Sequence, residues 1–140
     1  MVAMRERSVT VSESGNGPYG EFITAGHHVL GADERETVGG QDTGPDPYEI
    51  LLSALGACTA MTLRMYAARH QWPVEHIEVR LRYVRRAVGA DGPHDRFERV
   101  IEIKGEFSDE QRARLLEIAD RCPVSQTLQR SSEIATSLAE

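Results

Sequence analysis

Two thiols are the side chains of this sequence best suited to chemistry. Cys58 lies in "ALGACTAMTLRM" (54–65), where no charge appears before Arg64, and Cys122 lies in "DRCPVSQTL" (120–128), directly before a proline. A thiolate is a nucleophile and a metal ligand, and a pair of thiols can be oxidised to a disulfide and reduced again. Each cysteine could equally be a small core filler, since free cysteine is among the most buried residue types. Local chemistry separates the two. Cys122 reads as the N-cap of a short helix beginning at Pro123, beside Arg121, and both a helix N-terminus and a cation lower a thiol pKa. Cys58 reads as mid-helix, where burial would raise its pKa unless a cation approaches. Residue types alone nominate Cys122 as the reactive thiol. Two cysteines cannot supply a four-ligand zinc site, and the adjacent His27 and His28 would point apart on a strand, so neither a metal nor another cofactor is expected.

The elements that must position these thiols follow from pattern. Residues 5–12 alternate polar and apolar and read as a strand, "SGNGPYG" (14–20) is turn chemistry, and "EFITAGHHVLGADE" resumes with short strands. After the loop "GGQDTGPDP" (39–47) a helix opens with Asp46 as N-cap, Pro47 at its first position and Glu49 at its third, a capping box. From Ile50 to Tyr66 apolar or small residues appear on nearly every side, which predicts a central helix covered on several faces. Cys58 shares a side with Leu51, Ala54, Leu55, Met61, Thr62 and Met65. Residues 76–86 and 96–107 alternate with period two and predict a long hairpin, with Phe97, Ile101, Ile103 and Phe107 on the apolar face of its second arm. Ser108 and Gln111 form a second capping box, opening a helix to about Arg121 whose inward stripe of Leu115, Ile118 and Ala119 is continued by Cys122. A short helix from Pro123 to about Arg130 follows, and "SEIATSLAE" reads as a last strand. Two inward stripes in one small core can bring the thiols together, though the pattern alone does not require it.

The pattern is α+β in a single domain spanning residues 1–140. A net charge of −6 and a pI near 5.4 argue against a nucleic-acid partner, because neutralising phosphates needs a basic face. The longest uncharged run, Ile50–Leu63, is shorter than the roughly 20 residues that cross a bilayer, and "MVAMRERSVTV" carries charges where a signal peptide is apolar. A cytoplasmic protein without a membrane partner is expected, and any disulfide there would be transient and catalytic rather than a staple. A helix without a polar face in so small a domain also suggests cover from a second subunit.

"GGQDTGPDPYEILLSALGACTAMTLRMYA", a hairpin, and then "QRARLLEIADRCPVSQTL" resemble the OsmC/Ohr superfamily of osmotically inducible and organic hydroperoxide resistance proteins. The likeness runs from about Thr24 to the C-terminus. It is greatest to the branch with GPxPYxLLLxALGACT and CPVxxTL motifs, also found fused to hydrolase domains. The resemblance implies an OsmC-like fold, antiparallel sheet wrapped around a long central helix in an intertwined homodimer. It also implies a thiol peroxidase of the oxidative stress response, which reduces organic hydroperoxides and is regenerated by an external dithiol. Carried over, Cys58 is the attacking thiol and Cys122 the resolving one, the reverse of the local ranking. The family's hairpin arginine has no counterpart in "SGNGPYGEF", and no arginine occurs between Arg7 and Arg35, so Arg35 is the candidate stand-in. The family's glutamate after the loop proline falls on Tyr48, with Glu49 next. Glu49 lies roughly 13 Å along the helix from Cys58 and points the other way, so it could serve only a partner chain, and the capping box explains it without catalysis. Two other functions fit the same residues: a small-ligand-binding module with incidental thiols, and a redox sensor without turnover.

Overall fold

A computed structural model describes residues 6–85, 89, 92 and 94–139, and the chain divides into two units, Met1–Leu51 and Leu52–Glu140. In the first unit β1 (Thr10–Glu13), β2 (Glu21–Ala25) and β3 (His28–Ala32) form an antiparallel sheet in that order, with Val11 opposite Ile23 and Ile23 opposite Leu30. β1 begins later than its alternation predicts. Thr10 pairs with Thr24, and β2 ends at Ala25 before the chain turns at Gly26 (φ 62°), so β2 offers no partner to residues 6–8; the first residue of the expected strand lies outside the described residues.

The loop that leads into the central helix is organised by one carboxylate. Asp33 is 3% exposed and accepts hydrogen bonds from the backbone N–H groups of Glu34 (2.7 Å), Gln41 (3.3 Å) and Thr43 (3.2 Å) and from the Thr43 hydroxyl (2.7 Å). Buried polar groups need such partners. The helix α1 (Pro47–Arg69) then starts at the expected capping box: Glu49 N–H donates to Asp46 Oδ1 at 2.8 Å, and Asp46 N–H to Glu49 Oε1 at 3.0 Å.

In the second unit α1 is followed by β4 (Val74–Arg85), β5 (Asp95–Gly105), α2 (Asp109–Asp120) and α3 (Pro123–Gln129). β4 and β5 form a separate two-stranded antiparallel sheet. Its register sets Ile77 opposite Ile103, Val79 opposite Ile101, Leu81 opposite Arg99 and Tyr83 opposite Phe97. The α2 capping box closes as expected, with Ser108 and Gln111 bonding reciprocally. Leu63, Leu115, Ile118 and Ala119 are buried together, packed by Ile77, Ile101 and Phe107 among others. Gly56 faces Leu81 so closely that an added Cβ would lie 2.6 Å from Leu81 Cδ1, which accounts for a glycine inside α1.

Two expectations change. The chain covers α1 along one stripe, Leu55–Thr59–Leu63–Ala67 with Gly56, and leaves Met61 and Met65 59% and 55% exposed. Length and mean hydropathy alone would let α1 cross a membrane, a property shared by core helices. The last strand does not form: residues 131–139 have no regular structure, with Ile134 and Leu138 exposed. On a strand Ile134 and Leu138 would share one face with Thr136 between them, so they offer a sheet no continuous apolar face.

The Thr43 hydroxyl holds the Asp33 carboxyl below its ordinary pKa, with three backbone N–H groups adding to it against the cost of burial. Asp33→Asn should lower the melting temperature at pH 7 by about 5 °C. A lowered carboxylate pKa stabilises the fold above the unfolded value of about 4 and ceases to as pH falls through the folded value. Melting curves of the two proteins should therefore converge in acid; a gap that persists unchanged to pH 2 would refute this role.

Candidate active site

Three elements deliver the site. α1 presents Cys58, Thr59 and Thr62, one helical turn in all. β5 presents Arg99, and the junction of α2 with α3 presents Cys122, Val124 and Ser125. Cys122 caps α3 in extended conformation (φ −62°, ψ 139°), with Pro123 at the first helical position, where its missing N–H costs nothing. The N-cap expected at Cys122 is thus present, and the Ser125 N–H donates to its sulfur at 3.4 Å.

The two thiols are electrostatic neighbours, each bearing on the other's ionisation, and the Val124 N–H and the Thr62 hydroxyl favour the thiolate of Cys58. Cys122 is fully buried, and Cys58 is half-buried.

Arg99 reaches the same place from β5. Its Nη1 donates to Thr59 Oγ1 at 2.8 Å and lies 3.7 Å from the Cys122 sulfur. Its Nη2 donates to Asp120 Oδ1 at 2.9 Å and to Ser125 Oγ at 3.2 Å. The Thr59 hydroxyl has one hydrogen for two acceptors, the Leu55 carbonyl at 2.7 Å and the Cys122 sulfur at 3.7 Å. A groove of about 930 Å³, lined by Leu55, Phe97, Arg99, Val100, Ser125 and Leu128 among others, runs along this side.

The electrostatics follow from these contacts. Burial pushes the Cys58 thiol up, and the neighbouring Cys122 adds to the rise against the Val124 N–H. Burial also opposes the Cys122 thiolate. There the Ser125 N–H, the Thr59 hydroxyl, the Cys58 thiol and Arg99 together outweigh it, so Cys122 falls below the ordinary thiol value. The local ranking of the thiols therefore agrees with the structure, although the cation beside Cys122 is Arg99 and not the exposed Arg121.

The other two candidates are engaged at the head of α1. Arg35 pairs with Asp46 at 3.2 Å with its side chain 65% exposed, and Glu49 closes the capping box. Arg99 is the residue that pattern reading passed over. It carried a signal: a charge at the one polar position in the inward series Phe97, Arg99, Ile101, Ile103.

The family model of OsmC-like proteins matches residues 40–137. No curated protein sequence matches the chain. An OsmC-like protein from Mycoplasma pneumoniae superposes with a TM-score of 0.74 at 19% identity, covering 89% of this chain and 88% of its own. An organic hydroperoxide resistance protein from Elizabethkingia anophelis gives 0.66 at 16% identity, covering 92% and 91%. The organic hydroperoxide resistance protein OsmC of Legionella pneumophila gives 0.62 at 17%, covering 91% and 92%.

Because the two thiols are neighbours that bear on each other's ionisation, mild oxidation with diamide should remove both thiols of each chain and leave its mass unchanged on a non-reducing gel. A mixed population with one free thiol, or covalent dimers, would contradict the placement of the pair.

Proposed function

Since the chain belongs to the OsmC-like family, we propose that it is a thiol peroxidase that reduces organic hydroperoxides to alcohols. The observation that carries the proposal is the pairing of Cys58 and Cys122 as electrostatic neighbours, with Cys122 capping α3 and held by the Ser125 N–H and Arg99. The more exposed Cys58 meets the substrate. Its sulfur takes the outer peroxide oxygen, the O–O bond breaks, and the alkoxide leaves as an alcohol with the thiol proton; Cys58 becomes a sulfenic acid. Cys122 attacks that sulfur, a disulfide forms, and water leaves. An external dithiol then returns both thiols by exchange and is itself oxidised. Leu55, Phe97, Val100 and Leu128 along the adjoining groove, beside the charged Asp95, Arg96, Glu98 and Asp120, give an alkyl or aryl hydroperoxide apolar contacts that hydrogen peroxide cannot use.

With cumene hydroperoxide and dihydrolipoamide the protein should turn over. Cys58→Ser should abolish peroxide consumption, and Cys122→Ser should give one oxidation event with a sulfenic acid trapped at position 58. If Cys58→Ser reacts at the wild-type rate and Cys122→Ser does not, the roles are exchanged; if the unaltered protein consumes no peroxide, the peroxidase reading fails.

The reading extends to a homodimer. Met61 and Met65 leave an apolar strip of α1 open to solvent, and burying it stabilises the helix at about 25 cal/mol per Å². Sedimentation equilibrium at micromolar concentration should give twice the chain mass, and Met61→Glu should shift it toward the monomer. A cooperatively folded monomer of the unaltered chain would count against the dimer.

A further inference from the structure

We infer that Arg99 is the positioning residue that keeps one negative charge on the Cys58–Cys122 pair and seats it on Cys122, so that Cys122 acts as base for Cys58 before it resolves it. The inference deepens the peroxidase reading and rests on it for the catalytic consequence alone.

The geometry starts from a cation whose one carboxylate partner lies in solvent. The Arg99 side chain is 13% exposed, whereas its carboxylate partner Asp120 is 76% exposed. Water screens the Asp120 charge, and the other two oxygen partners, Thr59 and Ser125, are neutral hydroxyls. The remaining contact is the Cys122 sulfur, 3.7 Å from Nη1 and with no exposure to solvent. A buried guanidinium with its nearest carboxylate in water stabilises an anion on its inner side. Two thiols in contact do not both ionise readily, so the pair carries a single charge.

The charge belongs on Cys122 because the cation is there. At Cys58 burial and the neighbouring Cys122 disfavour the charge. The ionisable groups around Cys122 are, among the described residues, Cys58 from α1, Arg99 from β5 and Asp120 at the end of α2; α3 contributes none, and Arg121 is exposed.

Atoms and charge balance with this arrangement. The proton of Cys58 passes to the Cys122 thiolate as the Cys58 sulfur takes the outer oxygen of the hydroperoxide. The departing alkoxide takes that proton from Cys122 and leaves as the alcohol, which restores the Cys122 thiolate beside a Cys58 sulfenic acid. The thiolate then attacks the Cys58 sulfur and hydroxide leaves, taking a proton from solvent. One thiolate thus serves twice.

The charge can be read without peroxide, from thiolate absorbance near 240 nm against pH. In Cys58→Ser, Cys122 titrates alone and should half-ionise below the ordinary value of about 8.5. Adding Arg99→Gln should raise that midpoint by one unit or more, about a tenfold loss of thiolate near neutral pH. Adding Asp120→Asn should lower it, because the guanidinium loses its competing carboxylate. A purely structural Arg99 predicts no such opposite pair of shifts. Should Arg99→Gln fail to fold by circular dichroism, the downward shift in Asp120→Asn decides the matter, and its absence overturns the inference. For the base role, Cys122→Ser should slow the first oxidation of Cys58 at neutral pH and regain rate above the pKa of Cys58. A first step as fast as in the unaltered protein at neutral pH overturns it. Titrations as expected without any peroxide consumption would leave the charge on Cys122 standing and remove the peroxidase reading alone.

Discussion

A guanidinium on the core face of a two-stranded sheet is the constraint to which the second unit is built. An arginine remains charged at any ordinary pH, and a nearly buried one requires polar partners. The two terminal nitrogens of Arg99 find them on each helix of that unit: Thr59 on α1, Asp120 at the end of α2, Ser125 in α3 and the sulfur of Cys122 between them. The same bonds that satisfy the cation therefore fix the relative placement of three helices and one strand. They do so around the thiols rather than around the apolar core of Leu63, Leu115 and Ile118, which needs no such directionality.

α1 divides its own labour by spacing. Positions 55, 59, 63 and 67 make the buried stripe, and the thiol at 58 lies beside that stripe instead of within it. Cys58 consequently keeps some access to solvent while its neighbour Thr59 contacts the sealed sulfur of Cys122. One helix thus offers an accessible thiol and an internal hydroxyl from adjacent residues.

Elements whose cause is local were legible in the sequence. Both capping boxes, Asp46–Glu49 and Ser108–Gln111, are set by residues three apart and appear where their side chains require. The N-cap at Cys122 before Pro123 is local in the same sense. Features that depend on a distant partner were harder to read. The start of β1 is fixed by where β2 turns at Gly26, and the tail around Ile134 finds no strand to pair with. Arg99 stood in plain view as a charge in an apolar series, yet its meaning depends on Thr59 and Cys122, which are remote in sequence. The lowered pKa of Cys122 and the raised one of Cys58 run in the direction that local chemistry predicts, but the cation beside Cys122 is Arg99 and not Arg121.

The Ser125 N–H donates to the Cys122 sulfur, and the neighbouring Val124 N–H favours the Cys58 thiolate. The first turn of α3 is thereby a witness to the electronic state of both sulfurs. A thiolate is a strong acceptor, a thiol a weak one, and a disulfide sulfur weaker still. The exchange of two neighbouring amide hydrogens with solvent deuterium consequently records, residue by residue, which sulfur holds the electron pair at a given moment.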